Sequence, residues 1–224
     1  MKNRFPTVLL GLSSLLLSVP AQAQSVDSII NNIAATQKSV KDISFRVAGT
    51  AAVSGDNQKV DLKIQTIPAS SLARVVFNAP DALADNIVVV DNKEIRNYLY
   101  LTNQVTISPV SKAAGGQDLG GLDISQLSNL VGALKTRYDL KLIGTTGAAG
   151  SRLYQLEANP KTGIQGGKTR IWISESGWRP TRFQSVNDAG KTIADLNVSE
   201  YKLNTGLSVA RLRQLPKDAE VIKQ

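Results

Sequence analysis

A change of period near residue 43 constrains this chain most. Before it, Val26, Ile29, Ile30 and Ile33 recur at helical spacing behind Ser25, a residue suited to capping, with Asp27 placed favourably in the first turn. That pattern predicts one amphipathic helix ending near Lys38 or Ser39. After it, Phe45, Val47, Gly49 and Ala51 alternate with Ser44, Arg46, Ala48 and Thr50, and Val60, Leu62 and Ile64 alternate with Asp61, Lys63 and Gln65. A period of two turns every second side chain to one face of a sheet. With the turn cluster Ser54-Gly55-Asp56-Asn57 between them, the two runs read as a hairpin with one apolar face. Leu72 to Phe77, Asn86 to Val90, Glu94 to Tyr100 and Gln104 to Ile107 read as further strands, with turns at Asp91-Asn92 and Leu101-Thr102-Asn103.

The stretch Pro109 to Gly121 is a loop rich in small residues. Behind it Ile124, Leu127, Leu130, Val131 and Leu134 return to helical spacing, with Asp123 as the expected cap. Strands then resume over Tyr138 to Ile143, Arg152 to Ala158, Thr169 to Ser174, Pro180 to Ser185 and Thr192 to Lys202. The turns between them are Gly144-Thr145-Thr146-Gly147, the glycines of 163–167, Gly177 and Asn187-Asp188-Ala189-Gly190. The tail, with Leu215-Pro216, reads as irregular until Glu220-Val221-Ile222. About ten or eleven short strands in successive hairpins, with two helices, predict a mainly β domain around an antiparallel sheet. Nothing divides the chain, so residues 24–224 are expected to form one domain.

Residues 1–23 read as a cleavable leader. Lys2 and Arg4 form a basic start, Val8 to Val19 is an apolar run of 12 residues, and Ala21-Gln22-Ala23 is a small-residue cleavage site. Twelve residues fall short of the roughly 20 that cross a bilayer, which disfavours a retained anchor helix. The expected compartment is the periplasm. The chain has no cysteine and no histidine. It therefore has no disulfide, no lipid-bearing cysteine, no thiol nucleophile, no Ser-His-Asp triad and no ordinary zinc site. No motif for carboxylate or Ser-Lys catalysis is present, so neither an enzyme nor a cofactor is expected. Of the formal charge of +8, Lys2 and Arg4 contribute two, leaving six scattered among acids. That is an ordinary surface, able to favour an anionic membrane but without the dense basic run that nucleic acid calls for.

The apolar sheet face offers Phe45, Val47, Val60, Leu62, Ile64, Val75 and Phe77, and the helices offer Ile29, Ile30, Ile33, Leu127, Leu130 and Val131. Such aliphatic faces bury against each other in an ordinary core. The same walls, with few polar groups, would line a cavity for an acyl chain. Periodicity does not distinguish the two.

Residues 72–107 add specificity. They read as a strand to Phe77, a turn bearing Pro80, an Ile-Val-rich strand (Ile87 to Val90), a turn at Asp91, and a strand with Tyr98 and Tyr100 followed by Asn103 and Val105. This block resembles the outer-membrane lipoprotein carrier and sorting family, the LolA-like periplasmic proteins. The tail with Pro216, Asp218 and Val221, and the helix behind a leader, are similar as well. The resemblance implies an unclosed antiparallel β-barrel of about eleven strands whose helices lid a concave apolar face. It implies a monomeric carrier, in transient contact with membranes, that shuttles lipoprotein acyl chains or another lipid towards the outer membrane. Its partners would be an inner-membrane ABC transporter and an outer-membrane acceptor. The same fold also serves as a sensor domain for an envelope protein or lipid signal. On the carrier reading the lipid-contacting residues are Phe45, Val47, Leu62, Ile64, Val75, Phe77 and Val88 of the sheet, with Ile30, Ile33, Leu127, Leu130 and Val131 of the lid. The chain departs from the family where an arginine before the third strand latches the lid. Ile67-Pro68-Ala69-Ser70-Ser71 stands there, and Arg74 lies inside the strand. Asn92 replaces a turn glycine, and Tyr100-Leu101 an aromatic-proline pair.

Four single features have two readings each. Trp172 and Trp178 could face a membrane or ligand, or pack within the fold. Arg179-Pro180-Thr181-Arg182 could attract lipid head groups, or be a solvated loop. The loop at 109–121 could be the hinge of a lid or a plain connector. Asn197-Val198-Ser199 matches a glycosylation acceptor and is expected to be incidental.

Overall fold

The computed structural model describes residues 24–53, 55–110, 118–119, 122–123, 130–162 and 167–223. The expected leader (1–23), Ser54, most of the loop at 109–121, the segment with Ile124 and Leu127, and the turn at 163–166 lie outside the described residues.

Helix α1 covers Val26–Lys38. The Ser25 side chain accepts from the Ser28 amide, Asp27 stands in the first turn and Lys38 in the last, so both ends suit the helix dipole. The first half of the sheet follows: β1 (Ile43–Val53), β2 (Asp56–Ile67), β3 (Leu72–Ala79), β4 (Ile87–Val90), β5 (Glu94–Leu99) and β6 (Gln104–Pro109). Two short strands, β7 (Asp118–Leu119) and β8 (Leu122–Asp123), pair with each other, and α2 covers Leu130–Arg137. The second half is β9 (Tyr138–Thr146), β10 (Leu153–Pro160), β11 (Lys168–Ser174), β12 (Arg179–Val186) and β13 (Thr192–Leu203); then come α3 (Val209–Arg213) and β14 (Glu220–Lys223).

Twelve strands form one sheet in the order β14-β6-β5-β4-β3-β2-β1-β13-β12-β11-β10-β9. Its end strands do not meet, so the barrel is unclosed, as the resemblance implied. Neighbours run antiparallel except β14, which lies parallel to β6. Both halves meet at β1 and β13, Val47 opposite Val198 and Gly49 opposite Leu196. One continuous apolar cluster then runs over the inner face from Ile95 of β5 to Leu156 of β10, with α1 packed on it through Ile29, Ile30 and Ile33. The outer face of β10 to β13 is polar. Arg182 grips Asp195 with both nitrogens (2.7 and 2.5 Å) while its guanidinium stacks 4.6 Å from the Trp172 ring. Trp172 is thus a packing residue of this face.

Asp123 pairs with Asp118 in β8, and the segment between it and Leu130, where the expected helix would start, lies outside the described residues. The structure corrects the reading in three places. Asp56 and Asn57 are strand residues paired with Val53 and Ala52, which leaves Gly55, at φ 94°, to make the turn. Gly144, Thr145 and Thr146 extend β9 against Gln155, Tyr154 and Leu153 because a bulge near Ile143 restores the pairing. The tail is irregular over 214–219 and extended from Glu220, as expected, but it starts from a helix the reading did not contain. Ser208 caps α3 by accepting from the Arg211 amide, and Leu212 is fully buried against Ile67, Leu72 and Val89 on the outer face.

A second, smaller core therefore pins the tail. Arg74 projects from β3 and donates to the carbonyls of Leu212 (3.1 Å) and Gln214 (2.6 Å), and Arg213 reaches Asp91 at 2.9 Å. Burial pushes the Arg74 pKa down without neutralising so strong a base. Leu212→Ala is expected to lower unfolding stability by about 2 kcal/mol, read as a reduced urea midpoint.

Candidate functional site

Nine of the expected contact residues come together. Val47, Leu62, Ile64, Val75, Phe77 and Val88 are buried on the inner face, Ile30 and Ile33 are buried under α1, and Phe45 is partly buried at the edge of the same cluster. Leu127 lies outside the described residues. Leu130 and Val131 stand in α2, their side chains outside the described set. Leu134, one turn further on, carries α2 into the cluster. The contacts that seat α1 on the sheet are aliphatic, while Asn31 accepts from Lys135 of α2 at 3.2 Å.

The second half of the sheet contributes as much wall as the first. Tyr154 and Leu156 of β10, Ile171 and Ile173 of β11, Phe183 of β12, and Ala194, Leu196 and Val198 of β13 line the same cluster. Their period-two spacing was present in the sequence. What it lacked was the pairing that brings these strands round to α1.

At one end of this face four aromatic rings gather. The register places Ile43 opposite Leu203, Leu153 opposite Ser174 and Ile173 opposite Pro180, so the start of β1, the end of β13, the β11–β12 turn and the start of β10 share that end. A bulge between Ser44 and Arg46 in the β1–β13 ladder, with Glu200 at φ 51°, shifts the alternation of β13 there. Tyr201 thereby joins the inner cluster, its ring 5.8 Å from Phe45. Trp178, at φ 44° in the β11–β12 turn, stacks on Tyr154 with centroids 5.8 Å apart and planes within 5°. The Arg179 guanidinium lies 5.5 Å from the centre of the Tyr201 ring, and among the described residues no carboxylate pairs with it. Burial pushes the Tyr201 phenol up, and Arg179 offsets part of that. The Tyr154 hydroxyl is buried without a hydrogen-bond partner. Its oxygen raises the pKa of the neighbouring Arg152, but the contact falls short of hydrogen-bond geometry. Trp178 is therefore packed against the inner cluster, and Arg179, opposite Ser174 at the start of β12, reaches the Tyr201 ring.

The latch expected from the family has no counterpart in Arg74. That side chain is on the outer face holding the α3 carbonyls, across the sheet from α1. Residues Pro68–Ser70 form a single turn of 3-10 helix closed by Ser71 at φ 46°. Among the described residues no group of three or more acids could hold a metal, and no helix is long and apolar enough to cross a membrane.

The model of a protein family described as "Uncharacterized protein" matches residues 70–217, about two thirds of the chain. No curated protein matches it. Among solved structures, the chain is similar to an uncharacterized conserved protein from Thermus thermophilus, with 26% identity and a TM-score of 0.65 over 90% of this chain and 100% of that one. A putative outer membrane lipoprotein-sorting protein domain from Vibrio parahaemolyticus shares 13% identity at a TM-score of 0.48, over 83% of this chain and 94% of its own. A LolA superfamily protein from Nitrosomonas europaea shares 16% at 0.42, over 87% and 96%.

Proposed function

The chain belongs to the family whose model spans residues 70–217, and from the geometry of its inner face we propose that it binds acyl chains non-covalently between the unclosed sheet and the helices that cover it. One observation carries this reading: α1 is seated on a continuous aliphatic wall by Ile29, Ile30 and Ile33. A helix held by non-directional apolar contacts can give way to another apolar body of similar width. A polar network would have to be broken bond by bond. Each buried methylene contributes roughly 0.8 kcal/mol, so a dozen or so in the groove suffice for useful affinity.

The wall would be Val47, Leu62, Ile64, Val75, Phe77 and Val88, and the cover Ile30 and Ile33 with α2. Carriage of lipoprotein acyl chains through the periplasm, between an inner-membrane transporter and an outer-membrane acceptor, is the form of this function that the LolA-like resemblance favours. It needs a lid that opens, and with Arg74 turned outward the opening is governed by α1 packing and not by an arginine latch.

Mass spectrometry of lipids extracted from the purified protein, with displacement of a fluorescent fatty acid, tests the proposal. A co-purifying lipid and saturable displacement are expected. Absence of both would sink it and leave a protein-binding sensor domain as the reading to pursue. Ile33→Asp places a charge under α1 and is expected to weaken probe binding more than tenfold, with the β-sheet circular dichroism retained.

A further inference from the structure

The inner face is not uniform along its length, and its aromatic end carries a guanidinium without a carboxylate and a buried hydroxyl without a hydrogen bond of normal geometry. Arg179 is a permanent cation whose neighbours there are rings: it lies over Tyr201, and among the described residues it has no carboxylate. The nearby carboxylate of Glu175 is engaged elsewhere. Glu175 accepts from the amides of Gly150 (2.8 Å) and Arg152 (3.0 Å) and pairs with the Arg152 guanidinium at 3.9 Å. Close by, Tyr154 is 1% exposed, and its hydroxyl, though near the Arg152 guanidinium, makes no hydrogen bond of normal geometry, unlike most buried hydroxyls. The rings of Trp178 and Tyr201 supply flat apolar walls with polar tips, the chemistry found where a molecule changes from apolar to charged.

We propose that this end of the groove seats the anionic head, a carboxylate or a phosphate, of an acyl-chain amphiphile, with Arg179 and the Tyr154 hydroxyl as the groups that hold it. This rests on the acyl-chain reading above and adds a direction to it: the chain lies along the aliphatic wall and the charged head at the Trp178 end. A guanidinium answers the charge with paired donors, and a hydroxyl already out of water gains a bond without further desolvation. The bulge at Glu200 and the left-handed backbone at Trp178 bring Tyr201 and Trp178 to this end.

The test compares cis-parinaric acid with its methyl ester, whose chain is the same and whose head is uncharged. The wild-type protein is expected to bind the acid about tenfold more tightly than the ester. Arg179→Gln is expected to reduce the acid to the level of the ester and to leave the ester unchanged. Tyr154→Phe is expected to narrow the difference without lowering the melting temperature. A lowered melting temperature with the preference intact would make that hydroxyl structural and remove it from the site. Displacement of the probe by lysophosphatidylglycerol, dependent on Arg179, identifies the head as phosphate; displacement by fatty acid alone identifies it as carboxylate. Equal binding of acid and ester by the wild type overturns the head-group site and leaves the acyl-chain reading standing. Failure of both probes to bind overturns the acyl-chain reading and this proposal with it.

Discussion

Gly49→Ala is expected to lower unfolding stability by about 4 kcal/mol. Gly49 lies at the seam where β1 joins the second half of the sheet through β13. A Cβ there would stand 2.0 Å from the Asp195 carbonyl oxygen and 3.0 Å from the Leu196 Cα, both backbone atoms. No side-chain rotation relieves such a clash, so the β1–β13 ladder must part or bend. That ladder joins the six strands β1 to β6 to the five strands β9 to β13. A guanidinium melt with tryptophan fluorescence reports the second half through Trp172 and Trp178. The midpoint is expected to fall with the transition losing its single-step form. A variant as stable as the parent would show that the close approach at this seam is not required.

Asp42→Ala is expected to cost about 3 kcal/mol and to free the tail first. Asp42 is 2% exposed and accepts four bonds from the start of the strap: the Thr205 amide and hydroxyl (both 2.7 Å), the Gly206 amide (3.0 Å) and the Leu207 amide (3.2 Å). Burial pushes its pKa up, but the bonds from Thr205, Leu207 and Gly206 outweigh burial and hold it below the usual aspartate value of 3.8. A carboxyl whose folded pKa is lowered contributes stability that is present above 3.8 and is lost as pH falls through the folded value. The stability gap between wild type and Asp42→Asn is therefore expected to stay constant from pH 7 to about pH 5 and to shrink below pH 4. Hydrogen exchange at the Thr205, Gly206 and Leu207 amides is expected to accelerate in the variant before exchange in β1 or β2 does. A gap that stays constant down to pH 2 would mean that these bonds do not depend on the charge.

Alternation, turn residues and caps made most of the elements legible, because they are local properties. The Ser25 cap, the pairing of Asn187 to Gly190 as a hairpin turn and the parallel faces of β1 and β2 all rest on residues a few positions apart. Nine members of the inner-face site were readable for the same reason. Trp178 and Arg179 were legible only as one of two readings, and Tyr154 and Tyr201 not at all. Each reaches the site through a bulge, a left-handed turn or a register, and these depend on a partner strand tens of residues away. Helix α3 was missed because it has five residues and a single buried side chain, Leu212, too few to show a period.

By itself, the sequence determined a mainly β chain with one apolar face, an amphipathic helix to set against it, and chemistry restricted by the absence of cysteine and histidine. Tertiary structure decided which strands meet, and so that the sheet stays open, that Arg74 faces the tail on the outer side, and that Trp178, Tyr201 and Arg179 gather at one end of the sheet. The physical reason is one of range. Side-chain period and backbone propensity are set within a few residues, whereas register, bulges and the face a side chain reaches are set by hydrogen bonds across the whole chain.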